Sequence, residues 1–100
     1  MDPDLPDFTI ADVVVSTAGR DAGSLFYVLE TDGIWLTLVN GRDRRIEKPK
    51  RKKCKHARKV LRSETRVAEK LRSGDKVLNS ELRRDLAYIS RELQSNNLGG

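Results

Sequence analysis

The chain has 100 residues, 37% apolar and 5% aromatic, with one cysteine and a formal net charge of +5. That length fits one domain with a modest core, and a lone cysteine excludes a disulfide within the chain. The longest apolar stretches, Val13–Val15 and Leu25–Leu29, are far too short to span a bilayer, and MDPDLPDF has the character of neither a secretory signal nor a transit peptide. The expectation is a cytoplasmic protein with no membrane partner.

Residues 1–7 are acidic and broken by proline, and read as a flexible lead-in. Phe8 to Ser16 is rich in β-branched residues, which suits a pleated, half-buried strand. Ala18 to Gly23 carries two glycines and reads as a loop. Leu25–Glu30 is a second strand, and Asp32-Gly33 is a tight hairpin signal. Ile34–Val39 is a third strand, with Ile34, Leu36 and Leu38 toward the core and Trp35 and Thr37 on the other side. Asn40-Gly41 is another hairpin signal, which predicts a short fourth strand over Arg44–Glu47 that ends before Pro49. A closing fifth strand falls within Lys53–Val60, where Cys54, Ala57 and Val60 fit a helical turn as well as a strand.

The period then changes. Ser63 to Ser73 reads as a helix with an N-terminal hydroxyl cap and a glycine stop at Gly74. A second helix opens near Asn79 or Ser80. Its residues Leu82, Leu86, Ile89 and Leu93 form one apolar stripe, with Arg83, Arg84, Arg91 and Glu92 opposite. The stripe is expected to pack on the first helix or the sheet, and a surface for a partner protein is the alternative. The last residues, 96–100, read as a tail.

Charge divides the chain more sharply than composition does. Residues 1–41 have a net charge of −6, residues 42–59 of +9 and residues 60–100 of +2. The middle block reads RDRRIEKPKRKKCKHARK. Such a strip is the electrostatic footprint of a protein that touches nucleic-acid phosphate. A solvated basic arm is its bland counterpart.

Val13-Val14-Val15, then Gly19-Arg20-Asp21-Ala22-Gly23, then Leu25 and Val28 resemble the KOW motif, a strand, a glycine-bearing turn and a second strand. The continuation through Asn40-Gly41-Arg42 to Lys48-Pro49-Lys50-Arg51-Lys52-Lys53, Lys55 and His56 is similar to small bacterial KOW-domain RNA-binding proteins. Those in turn are similar to a group of large-subunit ribosomal proteins. The resemblance covers roughly residues 8–58 and departs at Phe26, where many KOW motifs have glycine. It implies an SH3-like barrel over residues 8–60, with the basic strip at 42–59 and a helical segment at 61–95. It also implies non-catalytic binding of structured RNA, ribosomal RNA above all, in translation or ribosome biogenesis.

The residues expected at the RNA are Arg20, Arg42, Arg44, Arg45, Lys48, Lys50, Arg51, Lys52, Lys53, Lys55, His56 and Arg58. Pro49 is expected to hold the strip extended so that alternate cations splay to both sides. Trp35 and Tyr27 have rings that can stack on bases, although partly buried sheet surface is the commoner role of such residues. Arg20 has a salt bridge to Asp21 as its alternative. No cofactor or metal is expected, because Cys54 and His56 have no further Cys or His to complete a site. A Cys-His nucleophile would need a pocket and an orienting group that nothing in the sequence supplies. The two rival readings are a DNA-binding nucleoid or transcription-associated protein, and a protein-interaction module of SH3-like type.

Overall fold

The computed structural model describes residues 7–99. Most of the expected lead-in, residues 1–6, lies outside the described residues. Five strands form one antiparallel sheet: β1 (Asp12–Ser16), β2 (Leu25–Thr31), β3 (Trp35–Val39), β4 (Lys50–Lys53) and β5 (Ala57–Arg62). Their order across the sheet is β4-β3-β2-β1-β5, and a single 3-10 turn, Cys54–His56, joins β4 to β5. Two helices follow, α1 (Arg66–Ser73) and α2 (Asn79–Gly99). The molecule is mostly β by count of elements. No helix among the described residues is long and apolar enough to cross a membrane.

Register explains how so few apolar residues build two cores. Side chains alternate across a strand, so neighbours in sequence go to opposite faces. Val13 pairs with Tyr27, and Tyr27 with Val39; all three are buried on the helix side of the sheet. Val14 pairs with Phe26, and Val28 with Leu38, on the other face, where Phe8, Leu36 and Cys54 join them. Irregular register between Val13 and Val14 on β1, and between Val28 and Glu30 on β2, bends the strands as bulges do.

The helices cover the first of these faces. Val67, Ala68 and Leu71 of α1 and Leu82, Leu86 and Ile89 of α2 are buried with Val13, Tyr27 and Val39, and Leu93 packs against them. Each large apolar side chain so buried stabilises the fold by about 1.5–3 kcal/mol. The stripe on α2 therefore has its partner inside the chain. One polar network crosses this layer. The Tyr27 hydroxyl donates to Asp85, and lies 2.8 Å from Ser63 Oγ. Thr65 Oγ1 donates to the same Asp85 oxygen at 2.8 Å. Burial, and then the Asp85 carboxylate, push the Tyr27 hydroxyl up to about 12.

Several boundaries differ from the sequence expectation. The first strand starts at Asp12, not Phe8, because a turn precedes it: Asp12 Oδ2 accepts from the Thr9 amide at 2.7 Å and Ala11 sits at φ 70. Ile34 is 65% exposed, since it belongs to the hairpin turn. Residues 44–47 are not a strand. Asn40 Oδ1 accepts from the amides of Arg42 and Arg44, and Asn79 Oδ1 accepts from the amide of Ile46, so this segment is a loop tied to the start of α2. The fourth strand comes later, in the lysine run itself. Cys54 and Ala57 bracket the 3-10 turn and β5 follows, so the three-residue spacing served both a turn and a strand. The first helix starts at Arg66, three residues later than expected. Thr65 is its cap, accepting from the Ala68 amide at 3.2 Å, while Ser63 is buried beside Tyr27. The second helix continues to Gly99, through most of the expected tail.

Candidate nucleic-acid interface

The basic run is sorted by the strand it forms. On β4, Lys50 pairs with Leu38 and Lys52 with Leu36, while Arg51 pairs with Thr37 and Lys53 with Trp35. Lys50 and Lys52 therefore point to the same face as the buried leucines. They meet Asp21, from the glycine turn between β1 and β2. Lys50 Nζ is 2.6 Å and Lys52 Nζ 3.0 Å from its two carboxylate oxygens. Ser16 Oγ donates to Asp21 at 2.7 Å, and Lys52 Nζ also donates to the Ala18 carbonyl. Burial acts to raise the Asp21 carboxyl. The hydrogen bonds from Lys50, Ser16 and Lys52 outweigh it and hold the group well below the usual carboxylate range. Lys52 is only 8% exposed. These two lysines clamp the turn, and their charge is neutralised where it stands.

Arg51 and Lys53 face the opposite way and are exposed. They flank the half-buried Trp35, with the Arg51 guanidinium carbon 4.9 Å and Lys53 Nζ 5.4 Å from its ring centroid. That is the range of a cation–π contact. Asp32 fixes this corner. Its Oδ1 accepts from the amides of Ile34 and Trp35 at 3.0 and 2.8 Å, and its Oδ2 lies 3.8 Å from Arg51. The amides of Trp35 and Ile34 hold the Asp32 carboxyl below its ordinary value. Lys55 is exposed in the 3-10 turn and His56 is half-buried beside it. A hollow of about 370 Å³ lies among Trp35, the four residues of β4, Lys55 and His56.

The remaining expected residues lie apart from that corner. Arg42, Arg45 and Lys48 are exposed and Arg44 half-buried in the loop between β3 and β4, which packs on α2. Asn79 Nδ2 donates to both Glu47 oxygens, and this holds the Glu47 carboxyl below its ordinary value. Arg58 is exposed on β5, opposite Val15. Arg20 is exposed in the glycine turn; the salt bridge to Asp21 considered for it is not among those formed, since Asp21 is engaged by Lys50 and Lys52. Among the described residues Arg20, Arg42, Arg44, Arg45, Lys48, Lys53, Lys55 and Arg58 form no ion pair.

The rings also separate. Tyr27 is fully buried, so only Trp35 of the two is accessible. Arg83 was not in the expected set. Its Nη1 donates to the Gly41 carbonyl at 2.6 Å, which brings a helix cation onto the basic loop. Its place on the polar face of α2 was visible in the sequence, but not that the loop would dock there. Lys59, inside the run but outside the expected set, pairs with the buried Asp12 at 3.1 Å. Burial, first of all, pushes the Cys54 thiol up, which disfavours the reactive thiolate. Among the described residues no group of three or more His, Cys, Asp or Glu is arranged to hold a metal ion. The chain matches no protein-family model and no curated protein sequence.

Proposed function

We propose that this chain is a non-catalytic RNA-binding protein that grips structured RNA, ribosomal RNA above all, through the outward cations of β4 and the turns on either side. It acts in translation or ribosome biogenesis, in the cytoplasm. The observation that carries the reading is the sorting of the basic run. Charges that would crowd one another are divided by strand parity into a neutralised inner pair and an exposed outer set. Arg51, Lys53 and Lys55 hang from hydrogen-bonded backbone and not from a mobile arm. Cations on a rigid support suit RNA duplex, which is recognised by shape, phosphate and 2′-OH more than by base edges. Each phosphate neutralised releases counterions, which supplies affinity.

The strand order, the 3-10 turn between the last two strands and the bulged β1 and β2 support an SH3-like barrel. The β1–β2 hairpin, with its glycine turn, supports a KOW motif. Asp21 of that turn holds the lysines of β4, which links the two halves of the resemblance through one carboxylate.

Competition at matched salt tests the choice of nucleic acid. A folded ribosomal RNA fragment is expected to displace a labelled RNA at least about tenfold better than B-form DNA of the same length, a difference of about 1.4 kcal/mol. Equal or better competition by DNA contradicts the reading. So does capture of a cellular protein that survives nuclease treatment while RNA fails to bind.

A further inference from the structure

We propose that Trp35 is the floor of a seat for one unpaired nucleobase of the bound RNA, with the adjoining phosphate held by Lys53 and Lys55. The proposal rests on the RNA reading above and adds to it a single-stranded element, a looped-out or terminal nucleotide. Trp35 is fixed from two sides. Its amide is held by Asp32, and its strand partner is Lys53 on β4. The ring is half-buried between Arg51 and Lys53, and it borders the hollow of about 370 Å³. That volume falls within the range of ligand pockets. Base-on-aromatic stacking needs such an accessible ring on a fixed backbone.

Charge gives the seat a direction. Of the cations around this hollow, Lys50 and Lys52 are neutralised by Asp21, which leaves Arg51, Lys53 and Lys55 as its outward charge, with no carboxylate in the lining. A second hollow that borders Trp35 is lined by Glu30 and Asp32 as well as Arg51, and by no lysine. A nucleotide on Trp35 therefore places its phosphate toward Lys53 and Lys55. Arg51 completes the arrangement. Its guanidinium lies over the ring, and its one carboxylate contact, to Asp32 at 3.8 Å, is exposed on both sides. Such a pair holds weakly, so the guanidinium is free to lift and stack on the far face of the base, as arginine planes do in RNA complexes. An aromatic shelf on a sheet also suits an extended proline-rich peptide. The cations of β4 favour the polyanion.

Trp35 is the only tryptophan, so its fluorescence reports the seat directly. The full chain is titrated with a short single-stranded oligoribonucleotide, with the same sequence fully paired, and with a basic proline-rich peptide. The single strand is expected to quench Trp35. Trp35→Ala is expected to weaken single-strand binding about 5- to 150-fold, the range of one base stack, and to leave duplex binding and the salt slope unchanged. Trp35→Phe keeps most of the affinity and guards against a folding defect. If Trp35→Ala leaves single-strand binding intact, or weakens strand and duplex by one common factor, the seat is overturned while RNA binding stands. Quenching by the peptide and not by RNA overturns the seat. Failure of the native chain to bind any RNA overturns both readings.

Discussion

Asp21 is one residue of a six-residue loop stretch, and in the sequence it sits beside Arg20. In the fold it takes the charge of two lysines that follow it by 29 and 31 positions. The basic run was legible as charge. Its division was not, because Lys50, Lys52, Lys53 and Lys55 are the same letter, and only strand parity tells an inner lysine from an outer one. Parity needs the first residue of β4, and a four-residue edge strand of cations has no apolar alternation to reveal it. Asp21→Asn should leave Lys52 buried without its counter-charge and cost about 3 kcal/mol at neutral pH. The sign of the pH effect follows from the lowered carboxyl. The native Asp21 contribution is full above its unfolded value of about 4, declines as the pH falls below it, and is gone only below the lowered value of the fold. Thermal unfolding of the native chain and of Asp21→Asn should therefore converge as the pH drops from about 5 to about 2. A constant gap over that range would show that Asp21 is not the ionised hub of the clamp.

At the scale of elements, β1 to β3, both helices and the α2 stripe were legible, because each has its own periodicity or cap. Arg44–Glu47 misled because a hairpin signal at Asn40-Gly41 usually hands the chain straight to a strand. Here α2 competes for it. The Asn79 side chain takes up the Ile46 amide and Glu47, so the loop's polar groups are satisfied by a helix encoded more than 30 residues later. At Gly41 the loop runs close against the helix. Gly41 sits at φ 75, and a Cβ there would clash with the Asn79 carbonyl oxygen. Gly23 has a similar φ of 91 but nothing within 4 Å. Gly41→Ala should cost about 2–5 kcal/mol, combining left-handed strain with overpacking. Gly23→Ala should cost only the strain, about 1–2 kcal/mol. Urea unfolding of the two variants checks this, and hydrogen exchange should speed up at the start of α2 in Gly41→Ala alone. Equal losses would mean that α2 does not press on the loop.

Over the whole molecule, the two helices close one face of the sheet and leave the corner of Trp35, Arg51 and Lys53 uncovered. The acidic first part of the chain does not repel the basic run, because Asp12 and Asp21 sit where Lys59, Lys50 and Lys52 reach them. What remains outward is a smaller and better fixed set of cations than the raw charge implies. The central claim is that this outer set, and not the run as a whole, meets phosphate. The salt dependence of RNA binding tests it most directly, measured for the outward variant (Arg51, Lys53 and Lys55 to Gln) and the inward variant (Lys50 and Lys52 to Gln). The outward variant should fold as stably as the native chain. Its slope of log affinity against log salt on a single strand should shrink by about 0.7 for each phosphate no longer neutralised. The inward variant should unfold at lower temperature and, while folded, keep the native slope. A native slope in the outward variant, or a reduced slope in the inward one, would contradict the account.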